Sequence, residues 1–134
     1  MIDQMNNANI IRFTKGFPYP LGISPILVLS ELKIKGPQRQ AELAETIGYT
    51  KGAMTSIAEK LVKLGLAERL YDEADRRTIR LQITDKGVDA LIKAQEVGKD
   101  VFIQLFEVLN DEEIAQYLSI QEKLVQGIHD RNNQ

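Results

Sequence analysis

The sequence predicts a mainly α-helical protein carrying one small β-hairpin, and three observations predict it. Apolar residues recur at helical spacing through most of the chain, most clearly at Met54, Ile57, Ala58, Leu61 and Leu64. In "LAERLYDEADRRTIRLQIT" the period changes to two: Ile79, Leu81 and Ile83 alternate with Thr78, Arg80 and Gln82, and the charged middle of the stretch is the turn. Helix-stopping residues fall between these segments, at Pro18 and Pro20, Gly36-Pro37, Gly48 and Gly65. With 134 residues the chain can bury one core of ordinary size and is too short for two comfortable domains, so one domain over 1–134 is expected.

Each element has its own signal. Residues 2–15 form a short helix with Met5, Ile10, Ile11 and Phe13 as apolar contacts, weakened by the asparagines at Asn6, Asn7 and Asn9. "GFPYPLG" ends it, because two prolines spaced two apart cannot continue a helix. In "ISPILVLSELKIKGP" Ser24 is the expected N-cap with Pro25 at the first helical position, and Gly36-Pro37 is the stop. A second helix follows in "QRQAELAETIG", turning Ala41, Leu43, Ala44 and Ile47 to a core and ending at Gly48. Thr50 then caps "TKGAMTSIAEKLVKLG", which closes on Gly65 as a left-handed terminator followed by apolar Leu66. Two helices joined by about three residues, both ending in glycine, match a helix-turn-helix.

Beyond the hairpin, Thr84 and Asp85 cap a long helix expected to run through Leu109, with Val88, Leu91, Ile92, Val101, Phe102, Leu105 and Phe106 as a broad apolar surface. "NDEEI" restarts the chain, with Asn110 and Glu113 at capping-box spacing. The last helix repeats Ile114, Tyr117, Leu118, Gln121, Leu124, Val125 and Ile128. These two helices carry apolar residues on more than one face, which suits association with a second copy; the alternative is that they fold back over their own chain.

Composition excludes several classes. At 43% hydrophobic and 27% charged residues the chain reads as a folded globular protein. No apolar run approaches the roughly 18–20 residues needed to span a bilayer, and the first residues lack a basic leader and an apolar signal core, so a cytoplasmic location and no membrane partner are expected. There is no cysteine and a single histidine, His129, read as a surface residue. With no glycine-rich phosphate loop and no cluster of metal ligands, neither an enzyme nor a metal site nor a cofactor is expected. Pairs such as Glu112-Glu113 are first-turn helix charges.

Charge divides along the chain. Residues 1–83 hold 12 basic against 9 acidic side chains, and residues 84–134 hold 5 against 10, so the overall charge of −2 conceals a basic part and an acidic part. That asymmetry suggests a half that meets nucleic acid and a half that does not.

Three helices followed by a hairpin describe a winged helix, in which the second helix of the helix-turn-helix enters the major groove and the hairpin reaches alongside the duplex. Arginines at the hairpin tip would then enter the minor groove or clamp phosphates, with Asp75 orienting Arg77 or capping the turn. The run from Asp75 through Arg77, the alternating residues to Ile83, and Thr84-Asp85-Lys86-Gly87 resembles the wing signature of the multiple antibiotic resistance regulator (MarR) family. "AELAETIGYTKGAMTSIAEKLVKLGLAER" is similar to that family's helix-turn-helix.

The resemblance implies a homodimeric transcription factor, usually a repressor, that binds double-stranded DNA at a pseudo-palindromic operator. It implies a winged-helix DNA-binding lobe over 20–84 and dimerisation helices over 1–16 and 85–134. Carried over by position, Thr50, Lys51, Gly52, Ala53, Met54, Thr55 and Ser56 open the recognition helix and Lys60 follows them. Arg77 is the wing-tip reader with Arg76 and Asp75 in support, and Gln38, Arg39 and Gln40 hold phosphate at the start of the preceding helix. Glu59, Asp72 and Glu73 lower the local positive charge. "GFPYP" lies where the family commonly places a ligand pocket: Phe13, Phe17 and Tyr19 either line a site for a small-molecule effector or are packed core. A winged-helix module that binds a protein and no DNA is the alternative reading.

Overall fold

The computed structural model describes residues 2–75 and 77–133. Its elements are α1 (Ile2–Gly16), α2 (Ile23–Lys35), α3 (Gln40–Ile47), α4 (Lys51–Lys63), β1 (Ala67–Tyr71), β2 (Ile79–Ile83), α5 (Asp85–Phe106) and α6 (Asp111–Asn132). The expected mainly helical architecture with one hairpin is the observed one. By internal contacts the chain forms two units, Met1–Gly98 and Lys99–Gln134. The first turns of α5 belong with the first unit: Ala90 and Ala94 lie in its core.

The core of the first unit gathers Val28, Leu29 and Leu32 from α2, Leu43 from α3, and Met54, Ala58 and Leu61 from α4, closed by Leu66, Ala67 and Leu81 of the hairpin. Each fully buried leucine contributes on the order of 1.5–3 kcal/mol relative to an exposed one. The i, i+4, i+7 spacing of Met54, Ala58 and Leu61 gives α4 one inward stripe and leaves the remaining face to solvent.

Helix ends follow the sequence in most places. Thr50 accepts the Ala53 N–H at 3.1 Å, and Gly48 and Gly65 take positive φ of 86° and 76°. At the end of α4 the Leu66 N–H donates to the Leu61 carbonyl at 2.9 Å and the Gly65 N–H to that of Val62 at 3.0 Å, the paired bonds of a Schellman motif. The start of α2 differs from expectation. Its N-cap is Gly22, and the Ser24 hydroxyl instead accepts from Tyr49 Oη at 2.6 Å. Pro25 therefore sits at the third helical position, still within the first turn where no N–H finds an intrahelical partner.

The strands pair antiparallel with Arg69 opposite Leu81 and Tyr71 opposite Ile79. A third, one-residue edge was not expected: Gln38 bridges Leu81, with N–H to carbonyl distances of 3.0 and 2.7 Å in the two directions. Leu81 is buried as predicted, but Ile79 is exposed, because the outer end of the hairpin extends past the core.

The wing joins α5 through Thr84, whose Oγ1 accepts the Gly87 N–H at 3.0 Å. A Cβ on Gly87 would overlap the Leu66 carbonyl oxygen and come within 2.7 Å of Ile83 Cγ1. This is the physical reason for threonine and glycine three apart: one caps the helix, the other lets its first turn touch the end of the preceding loop.

In the second unit, α5 ends at Phe106 and not Leu109; the Leu109 N–H closes a turn on the Phe106 carbonyl at 2.9 Å. The Asn110–Glu113 capping box forms with both reciprocal bonds, at 2.8 and 3.0 Å. Phe106 meets Tyr117 edge-on at 4.9 Å and Phe102 at 5.9 Å. None of α6 is buried.

Candidate nucleic-acid interface

The exposed face of α4 is built from what its buried stripe leaves over. Lys51, Gly52, Ala53, Thr55, Ser56 and Lys60 are all exposed, and nothing lies within 4 Å of where a Gly52 Cβ would stand. Short side chains over the first two turns bring backbone close to whatever docks there. Thr55 Oγ1 donates to the Lys51 carbonyl at 2.9 Å and receives a weak donation from Gln40 Nε2 at 3.5 Å, which ties α3 to α4. Met54 is the correction within this run: it is fully buried, so its side chain belongs to the core and not to the docking face.

The α3 side divides similarly. Arg39 is the N-cap residue of α3, exposed, with Nε 2.7 Å from Glu42 Oε1. Its pairing through Nε leaves the outer guanidinium nitrogens facing solvent, where they can meet phosphate. Gln38 is only 8% exposed, its backbone held by Leu81 and its Nε2 3.4 Å from the Glu31 carbonyl. The sequence places it at a helix start; the structure makes it a bridge residue with an inward side chain, so a phosphate contact from that amide is corrected as well.

At the wing tip one carboxylate organises the turn. Asp75 Oδ1 accepts the Arg77 N–H at 3.0 Å, Oδ2 accepts the Thr78 hydroxyl at 3.3 Å, and the Asp75 carbonyl accepts the Thr78 N–H at 3.0 Å. Arg77 Nε lies 3.4 Å from the same Oδ1, and the Arg77 side chain is 94% exposed. Asp75 therefore caps the turn and also contacts the Arg77 guanidinium. Arg76 lies outside the described residues. Asp72 makes a second such turn through the Ala74 N–H at 2.9 Å.

The aromatic cluster packs on itself. Phe17 is buried in the core, its ring 5.4 Å from Phe13 and 5.5 Å from Tyr19. As placed, Phe17 is a core residue with Phe13 and Tyr19 packed against it. Among the described residues no group of three or more His, Cys, Asp or Glu could hold a metal ion, and no helix is long and apolar enough to cross a membrane.

A helix-turn-helix with a small-residue exposed face, beside a hairpin that presents an oriented arginine, defines a winged-helix DNA-binding protein of the transcription-regulator class. Comparison with known proteins agrees. The MarR family model matches residues 23–79. The chain is 33% identical over 111 residues to the HTH-type transcriptional repressor MdtR of Bacillus subtilis (strain 168), covering 79% of this chain and 70% of that protein. It is 29% identical over 108 residues to the transcriptional repressor MprA of Escherichia coli (strain K12), covering 78% and 61%. In fold it resembles the YusO protein of Bacillus subtilis (TM-score 0.79, 26% identity, covering 93% of this chain and 86% of that one). It also resembles wild-type MarR in its apo form from E. coli (TM-score 0.76, 22% identity, 92% and 93%). The chain belongs to the MarR family: it is a DNA-binding transcriptional regulator and not an enzyme. Between the two readings of the hairpin, membership favours DNA over a protein-only module.

Proposed function

We propose that two copies of the chain bind one pseudo-palindromic operator and repress transcription by occupying it. The observation that carries this reading is the joint presentation of Lys51, Thr55 and Ser56 on α4 and of Arg77 on the wing: all four are exposed, the Thr55 hydroxyl donates to the Lys51 carbonyl, and the Arg77 N–H donates to Asp75. In this reading the paired α4 helices enter successive major grooves about 34–36 Å apart, and the wings flank them. Lys51, Lys60, Arg39 and Gln40 meet phosphates while Thr55, Ser56 and Arg77 reach bases.

Pairing of two copies is supported by apolar residues left in solvent on α1, α5 and α6. Ile11 on α1, Phe102 and Ile103 on α5, and Leu118, Leu124 and Ile128 on α6 are all exposed in the single chain. A helix such as α6, 22 residues long with no buried side chain, gains stability chiefly by covering its apolar stripe. Repression is favoured by the names of MdtR and MprA. A small-molecule effector that altered the spacing of the two α4 helices would relieve it, and a coupling of about 1–3 kcal/mol suffices for a five- to 150-fold change in affinity.

Selection of binding sites from random duplexes tests the proposal. It predicts a two-fold symmetric consensus with half-site centres about 10–10.5 base pairs apart. Recovery of an asymmetric single half-site, or of no consensus, would contradict it.

A further inference from the structure

We infer that Lys86, acting with Thr84, is a positioning residue for the recognition helix: the two hold the C-terminal cap of α4 and so set the angle at which Lys51, Thr55 and Ser56 meet the duplex. The inference rests on the DNA-binding reading above and deepens it. Three consecutive carbonyls beyond the end of α4 are each taken by this pair. Lys86 Nζ donates to the Leu64 carbonyl at 2.9 Å, Thr84 Oγ1 to that of Gly65 at 2.6 Å, and the Thr84 N–H to that of Leu66 at 3.1 Å.

Carbonyls at a helix C-terminus ordinarily have no intrahelical partner, and a cation there also meets the negative end of the helix dipole. The lysine stem lies over the bare α-carbon of Gly65, where a Cβ would stand 3.7 Å from Lys86 Cδ. At that separation a Cβ would be in ordinary contact with the stem, so what calls for glycine at Gly65 is its φ of 76°. The turn that carries both donors has little slack, since Gly87 abuts the Leu66 carbonyl and its N–H is bound to Thr84.

Geometry gives the consequence. The 13 residues of α4 make a lever of about 18 Å, so a pivot of about 5° at its C-terminal end carries the first turn about 1.5 Å. Hydrogen bonds to base edges tolerate roughly 2.7–3.2 Å and do not survive that displacement, whereas long basic side chains on phosphates follow it. Loosening this junction should therefore cost discrimination more than general affinity.

The test compares the full chain with Lys86→Met, Lys86→Arg and Thr84→Ser on the selected operator and on a scrambled duplex, across a range of salt. The expected result for Lys86→Met is roughly five-fold weaker operator binding with unchanged scrambled-duplex binding and salt slope. Lys86→Arg and Thr84→Ser, which keep a donor to the carbonyl, should hold the wild-type ratio. Equal loss on both duplexes, with the salt slope reduced by about one phosphate equivalent, would make Lys86 a direct phosphate ligand and overturn the inference. An unchanged operator-to-scrambled ratio would overturn it too, whatever happens to thermal stability. Hydrogen exchange at the Gly65 and Leu66 amides without DNA separates this from the underlying reading: faster exchange in Lys86→Met is expected, and unchanged exchange defeats the junction even if the wild-type chain binds no duplex at all.

Discussion

Asp75 and Arg77 form a unit in which one carboxylate oxygen receives both the backbone N–H of the arginine, at 3.0 Å, and its Nε, at 3.4 Å. A pair this exposed adds little to stability. Its effect is a bias on where the guanidinium stands, set from the turn that Asp75 caps. Arg77→Ala should weaken operator binding by about 1–3 kcal/mol, the range for a well-placed base contact, with thermal unfolding unchanged. A salt-controlled gel-shift titration showing wild-type affinity would refute the wing assignment.

Met54 and Ser56 are two residues apart on α4 and lie on opposite sides of the boundary between core and docking face. Met54→Ala should cost about 2–5 kcal/mol in urea unfolding, as a cavity in a packed core does. Ser56→Ala should change stability by less than about 0.5 kcal/mol while reducing operator affinity. The reverse order of stabilities would mean that α4 is rotated about its axis from the orientation described.

Gly87 has no room for a side chain beside the Leu66 carbonyl. Gly87→Ala should destabilise the protein by roughly 1–3 kcal/mol or more through displacement of backbone, read as a lowered thermal midpoint. Gly98→Ala is the control: its Cβ would meet nothing within 4 Å, and a helix interior favours alanine over glycine by about 0.5–1 kcal/mol.

Leu124 is 64% exposed on α6, where a single chain would tolerate any polar residue. If α6 is covered by a second copy, Leu124→Glu buries an unpaired charge and should weaken self-association by several kcal/mol. Sedimentation at micromolar concentration should then show a monomer in place of a dimer. An unchanged mass would remove Leu124 from the interface.

Local rules made most of the fold legible. Thr50, Gly48, Gly65 and the Asn110–Glu113 box each act within a few residues of themselves, so their roles can be read without tertiary context. Alternation likewise placed Leu81 inward. What sequence could not show depends on partners distant in the chain. Ser24 was expected to cap α2 but is claimed by Tyr49, 25 positions on. Gln38 was expected at a helix start but pairs with Leu81, and Met54 stood among candidate contacts although helical periodicity also marked it as core. Lys86 showed only as part of a family motif, because its partner is the Leu64 carbonyl across a strand pair. Ile79 followed the alternation but not the burial, since alternation fixes a face and not how far the core extends.

The most direct test of the central claim is the mass of the protein–DNA complex in solution, measured by sedimentation at about 50 mM salt on a duplex carrying the selected site. The account predicts two chains per duplex, with the complex dissociating as salt rises at a slope of about −0.9 per phosphate neutralised. One chain per duplex, or no association at that salt concentration, would contradict it.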